Sequence, residues 1–375
     1  MPGPSDVLRV PPADRWFGAL FGRWPGLGRA LASLETRTAL AEGPLPPIDR
    51  PVYVCGMARS GSTLLLEVLN GAPGFTAHRY GDYPFLWTPL WWNRLRQRLP
   101  HQAAAPQERA HGDRLAVTRD SPEAFEEVFW QSWFPGRHDP HVNQVLDDAD
   151  RNPAFDAFYQ AHIQKLLAAR GAQRYLCKAN YHLTRLGYLH RLFPEARFII
   201  PIREPVAQVE SLWRQDQRFV QIVQRNPAVG KHLRRVGHRE FGPDRRAVNV
   251  GDTTQALAIQ SEFDAGNTLQ AYAHQWAALH GWLARRLAVD ESLARACLLV
   301  PYEGLCAQPQ SVLARVLAHA GVEAPGTGIA LARAPDVSAP DYYRSSLSPE
   351  QRAGINDSTG LIWNSLMRLS AGVRM

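Results

Sequence analysis

The chain has 375 residues, 21% of them charged and 45% hydrophobic, with a net charge of +7 at pH 7. That length allows a large core in one domain, and the composition excludes a disordered or disulfide-framework protein. Only three lysines occur (Lys165, Lys178 and Lys231), so nearly all positive charge is arginine, the side chain suited to forked phosphate and sulfate contacts. No basic run interleaved with aromatics points to a nucleic-acid groove. No apolar run reaches the roughly 18 residues of a membrane span, and the N-terminus has no apolar leader core, so the expectation is a cytoplasmic protein.

In chain order, residues 1–50 are rich in Pro, Gly and Ala, with a helix expected over Gly28–Leu40. They read as an extension packed on a domain that fills 51–375. Val52–Cys55 is the first strand. It runs into Gly56-Met57-Ala58-Arg59-Ser60-Gly61-Ser62-Thr63 and then the apolar helix-like Leu64–Leu69. Strand, glycine turn and helix form a phosphate cradle, because loop N–H groups and the positive helix end converge on one anion. The spacing is that of a P-loop, except that Ser62 stands where the lysine of NTP-hydrolysing loops belongs. Arg59 offers the missing charge three residues earlier.

Phe85–Trp92 is an aromatic loop or short helix whose Trp87, Trp91 and Trp92 serve either an acceptor wall or packing. Pro100–Thr118 has no period and reads as a loop or lid. Phe155–Ala169 is expected to be helical, Tyr175–Lys178 a strand, His182–Leu192 a helix and Arg197–Pro201 a strand. A helix begins after Pro205 and runs through Trp213. Thr268–Ala288 is a long helix with Tyr272, Trp276, Leu279 and Leu283 on one face, Trp276 being a core residue. Cys297–Pro301 is a strand and Ser311–Ala320 a helix. Short apolar strands alternating with helices imply an α/β fold with a parallel, doubly wound sheet in a single domain. The four cysteines show no metal spacing, and Asp147-Asp148-Ala149-Asp150 reads as a solvated turn, so no metal is expected.

The strand Arg197–Pro201 delivers Arg203 to the carboxyl edge of the sheet, where open α/β sheets bind ligands. Ser211 lies two turns along the following helix, so the pair makes a fork and a hydroxyl for a second phosphate. At this point a resemblance becomes specific. Gly56–Thr63 looks like the 5′-phosphosulfate loop of the sulfotransferases that use 3′-phosphoadenylyl sulfate (PAPS). Arg203-x7-Ser211 is similar to their 3′-phosphate motif, and Tyr302-Glu303 resembles their late Tyr-Glu turn. The order and spacing agree over about 250 residues.

The resemblance implies a P-loop kinase-like sulfotransferase fold of bacterial type. PAPS would donate a sulfuryl group, without a metal, to a hydroxyl or amine of a small-molecule or glycan acceptor, and leave as PAP. Arg59, Ser60, Gly61, Ser62 and Thr63 would hold the 5′-phosphosulfate; Arg203 and Ser211 would hold the 3′-phosphate. Lys178, at the position of a family lysine, would stabilise charge on the bridging oxygen. Many members carry their base as histidine in Lys-x-His, but here that strand ends Lys178-Ala179-Asn180. Others use an acid a little over twenty residues past the loop arginine, which nominates Asp82; His78 and His182 are further candidates. Arg344 and Ser345 stand where a late loop closes over the nucleotide. The other readings are a kinase with a degenerate P-loop and a nucleotide-binding protein without chemistry.

Overall fold

A computed structural model describes residues 11–98, 107–108, 116–333 and 345–372. Its centre is a five-stranded, wholly parallel sheet. The strands are β1 (Val52–Val54), β2 (Phe75–Thr76), β5 (Arg174–Lys178), β6 (Arg197–Ile202) and β7 (Cys297–Pro301), in the order β2-β5-β1-β6-β7. The minor pair β3 (Gln107–Glu108) and β4 (Ala116–Val117) is antiparallel, within the stretch expected to be a loop. The chain starts at the middle strand, builds one flank, then crosses to the other. The crevice between β1 and β6 is therefore where the strand order reverses, the usual ligand site of such sheets.

Alternation along each strand feeds two cores. Tyr53, Tyr175, Cys177, Phe198 and Ile200 face one, while Val52, Val54, Leu176, Ile199 and Val300 face the other. Both faces are apolar because helices cover both, as parallel sheets require. On the second face lie α3 (Ser62–Asn70), through Leu65, Leu66 and Leu69, and helix Pro309–His319, through Leu313, Val316 and Leu317. The first face is covered by longer helices, among them Pro153–Arg170, Pro205–Arg225 and Thr268–Val289. Trp276 is fully buried there, as its helical spacing suggests.

The N-terminal segment forms two helices, Pro12–Arg23 and Pro25–Glu42, longer than the single one expected. It is pinned by a buried ion pair, Lys165 Nζ to Glu35 at 2.8 Å, and Glu35 also accepts the Trp91 N–H. Trp87 lies against Gly28, where a Cβ would stand 2.5 Å from the indole, and the Trp92 N–H donates to the Gly81 carbonyl. These two tryptophans belong to packing, not to an acceptor wall. The helix Pro349–Ser370, unmarked in the sequence reading, packs against Thr268–Val289 and Pro205–Arg225.

Beneath β1 and β5 lies a buried polar knot. The Tyr159 and Tyr175 hydroxyls, His182 Nε2 at 2.7 Å and the Trp130 indole N–H at 3.3 Å all engage the Glu126 carboxylate. Burial pushes that carboxyl up, but the neighbouring His182 charge and the hydrogen bonds outweigh it and hold it at about 2. A depressed folded-state value means the stabilisation is present above the unfolded value of 4.5 and is lost as pH falls toward about 2. The shift corresponds to roughly 3 kcal/mol at neutral pH. Urea unfolding of wild type between about pH 6 and pH 3 should show this acid loss, and Glu126→Gln should be less stable at pH 6 with a shallower acid decline. An acid limb of equal steepness in the variant would remove Glu126 from the account.

Candidate active site

Strand register gathers the sequence motifs at one edge. Val54 pairs with Lys178 on β5 and with Ile199 on β6, and Ile202 pairs with Pro301 on β7. The loop after β1, Lys178, Arg203 and Tyr302 therefore all leave the carboxyl edge of neighbouring strands. The loop is an unusual backbone: Arg59 has φ +68° and Gly61 φ +95°. Left-handed geometry is cheap for glycine but costs an arginine about 1–2 kcal/mol. At Gly61 a side chain is excluded twice, by φ and because a Cβ would lie 2.7 Å from the Tyr302 ring.

The eighth helix of the chain, α8 (Pro205–Arg225), holds this loop in shape. Glu204 caps α8, accepting from the N–H groups of Val206 and Ala207. Arg203 Nη1 donates to the Arg59 carbonyl at 3.2 Å, and Arg59 Nε donates to Ser211 Oγ at 3.1 Å. One turn before Ser211, Gln208 donates to the carbonyls of Ala58 (2.9 Å) and Met57 (3.4 Å), and its own oxygen accepts the Trp276 indole N–H at 2.9 Å. Gln208 was missed in the sequence. Its three-residue spacing to Ser211, which puts both on one helix face, was the available signal.

Two features fit this loop to an anion. The helix Ser62–Asn70 starts at Gly61 with no side-chain cap, so its first N–H groups lack that partner. The Ser60 hydroxyl is fully buried and has no hydrogen-bond partner among the described residues. At the start of α8 opens a cavity of about 710 Å³, lined by Arg203, Ser211, Arg214, Tyr302, Ser345 and Arg352 among others. The Arg203 guanidinium lies 4.9 Å over the Tyr302 ring. Carboxylates also line the cavity, but each is committed. Glu204 caps α8, Glu303 accepts the Glu204 N–H at 3.0 Å, and Glu210 accepts the Ser346 N–H at 2.8 Å while pairing with Arg214. Ser345 lines this cavity, and Arg344 lies outside the described residues. Arg352 and Asn356 join the lining from the last helix, and no motif in the sequence announced them.

Lys178 is buried at the end of β5, and Asn180, two residues on, donates to Glu240 Oε1 at 2.7 Å. Asp82 follows the edge strand β2 and is 3% exposed. Arg170 Nη2 stands 2.7 and 2.8 Å from its two oxygens, and the Arg79 N–H donates to it at 2.8 Å. Burial pushes its carboxyl up, but the His78 ring 3.6 Å away and the Arg170 charge outweigh that and hold it below the usual range. A carboxylate with both oxygens engaged and a lowered pKa is a weak proton acceptor, and these contacts suit an anchor. His78 and His182 are equally buried, the latter bound to Glu126. Glu126, Cys177 and His182 have donor atoms close enough for a metal, yet Glu126 already accepts several hydrogen bonds and burial pushes the Cys177 thiol far up, away from the thiolate a metal takes.

The family model described as "Sulfotransferase family" matches residues 51–240. Solved structures that resemble the chain include sulfotransferase STF1 of Mycobacterium tuberculosis H37Rv, at 16% identity and TM-score 0.42, covering 95% of this chain and 86% of that one. Another is STF9 of Mycobacterium avium, at 16% identity and TM-score 0.44, with coverages of 87% and 76%. A sulfotransferase of Alicyclobacillus acidocaldarius gives 17% identity and TM-score 0.39, with coverages of 88% and 98%. No curated protein sequence matches the chain.

Replacing Asp82 tests the anchor role directly. Asp82→Asn strands the Arg170 charge in the interior, and breaking a buried pair in this way costs about 3–5 kcal/mol. Urea denaturation should show a loss of that size; stability within about 0.5 kcal/mol of wild type would restore Asp82 as a candidate for chemistry.

Proposed function

We propose, from the premise that this chain belongs to the sulfotransferase family, that it transfers a sulfuryl group from PAPS to a hydroxyl or amine of a small-molecule or glycan acceptor in the cytoplasm and releases PAP. The observation that carries this reading is the joining of two anion-binding elements by Arg203 to the Arg59 carbonyl and Arg59 to Ser211. A donor with a phosphosulfate at one end and a phosphate at the other needs two such elements at a fixed separation. The loop amides, with Arg59, Ser60, Gly61, Ser62 and Thr63, bind the 5′ end. Arg203 and Ser211 bind the 3′-phosphate, and Arg214 and Arg352 add positive charge to the cavity beside them.

The missing loop lysine fits the same donor. A phosphosulfate carries less charge than a triphosphate, so fewer cations are needed and none of the steps calls for Mg²⁺. Lys178, on the strand next to the loop strand, stabilises the negative charge that builds on the bridging oxygen as the S–O bond breaks. Burial of Lys178 and Ser60 keeps this charge transfer away from bulk water, where each interaction would be weaker.

Calorimetric titration with PAP, without metal, should give saturable binding that exceeds binding of ATP with Mg²⁺. Arg203→Ala removes a charged hydrogen bond to phosphate, about 1.5–3 kcal/mol, so PAP affinity should fall by at least about tenfold. Ser211→Ala should weaken PAP less. A preference for Mg·ATP, or no PAP binding by a folded wild type, would overturn the sulfotransferase donor and favour a kinase.

A further inference from the structure

Sulfuryl transfer needs a group to take the acceptor's proton, and neither expected position supplies one. Asp82 is locked to Arg170, and Asn180 has no basic nitrogen. Of the histidines around the sheet, His78, His162, His182 and His280 are at most 2% exposed. His238 differs. Its side chain retains 28% exposure, and Glu240 links it to Asn180, just past the end of β5, while the Lys178 charge acts on it.

The local sequence explains how it arrives there. Helix Pro227–Val236 ends in Gly237 at φ +83°, whose N–H bonds the Arg234 carbonyl while the His238 N–H bonds that of Leu233 at 2.9 Å. This paired closure reverses the chain and needs glycine. A Cβ at Gly237 would also lie 2.2 Å from Glu127 Cγ, so the close approach excludes any other residue. The chain then carries His238 back to the sheet. His238 Nδ1 stands 3.3 Å from Glu240 Oε2, and Glu240 Oε1 accepts the Asn180 amide at 2.7 Å. The Tyr272 hydroxyl donates to the Glu240 carbonyl at 2.8 Å and fixes that backbone. Glu240 and Asn180 also share a small cavity wall with Met57 and Ala58 of the phosphate loop. Carboxylate, imidazole and an amide that orients the carboxylate are the elements of an oriented base.

Resting on the sulfotransferase reading, we infer that His238, oriented by Glu240 and Asn180, is the general base of this enzyme. With Nδ1–H donated to Glu240, the lone pair of Nε2 accepts the proton of the acceptor O–H. The acceptor oxygen forms its bond to sulfur, and the S–O bond to the 5′-phosphate of the donor breaks. PAP leaves with that electron pair, and the imidazolium returns its proton to solvent. The groups facing the ring are Glu240, Glu123, Lys178 and His232. Burial pushes the imidazole down, but the Glu240 charge and hydrogen bond, with Glu123, outweigh burial and Lys178 and set it above 6.5. The rate therefore rises with pH through a value above 6.5 as His238 loses its proton.

The test pairs two readouts on wild type, His238→Gln and Glu240→Gln. The first is PAP release from PAPS with 2-naphthol as acceptor, across pH, with PAP affinity measured alongside. His238→Gln should lower the rate by about 100- to 10,000-fold, the usual contribution of a general base, and leave PAP affinity within about twofold. Glu240→Gln should move the acid limb of the pH profile to lower pH. The second is NMR titration of ¹⁵N-labelled histidine, in which His238 should titrate above 6.5 in wild type and lower in Glu240→Gln. Turnover by His238→Gln within about threefold of wild type, or a His238 titration unmoved by Glu240→Gln, overturns the inference. If wild type binds PAP but does not use 2-naphthol, the NMR result decides. If wild type binds no PAP, the donor reading itself has failed.

Discussion

The site depends on α8 holding a loop that cannot hold itself. Arg59 in the left-handed region costs about 1–2 kcal/mol, and the loop carbonyls of Met57, Ala58 and Arg59 point away from any strand partner. Two side chains of α8 and one from the turn before it repair this: Arg203 and Gln208 donate to those carbonyls, and Ser211 receives the Arg59 side chain. At about 1 kcal/mol for a neutral hydrogen bond and more for a charged donor, the grip exceeds the strain. Trp276 in turn fixes the Gln208 oxygen from a fully buried position, so loop shape is tied to the packing of the core.

That arrangement follows from pairing β1 directly with β6. Parallel neighbours send their chains out of the same edge, so a loop after one and a helix after the other must meet. Had another strand intervened, the elements would stand about 10 Å apart, beyond hydrogen-bond reach. The same logic places Lys178 on the opposite flank of the loop, because β5 pairs with β1 on its other side. The central strand is thus bracketed by cationic residues from both neighbours, and an anion at its end meets charge from two sides.

Much of this was legible because it is local. Glycine positions, the strand before Gly56 and the Arg203–Ser211 spacing are short-range patterns, and each resolves into the expected element. Trp276 was readable as core from period alone. What escaped is long-range. Gln208 acts on residues about 150 positions away, Arg352 reaches the cavity from the last helix, and Glu240, the partner of His238, meets Asn180 from 60 positions along the chain. Asp82 shows the converse failure. Its separation from Arg59 matched a pattern, yet a spacing says nothing about Arg170, which arrives from a different helix and takes both carboxylate oxygens.

The acids of this chain separate by environment, not by type. Glu126 is sealed under the sheet among hydroxyls and an imidazole, with no route for substrate or solvent. Asp82 is paired with a guanidinium, and a carboxylate held that way has a lowered proton affinity. Glu240 is also held below its usual range, despite the upward push of burial, by His238 and Asn180. Its partner, however, is a titratable ring that remains partly exposed. A depressed carboxylate beside arginine can only anchor, because arginine does not give up its proton. A depressed carboxylate beside histidine transmits its charge to a group that can, and so raises the basicity of that ring. Chemistry is therefore expected where the partner of the buried acid titrates and faces solvent, and of the three carboxylates that condition holds at Glu240 alone.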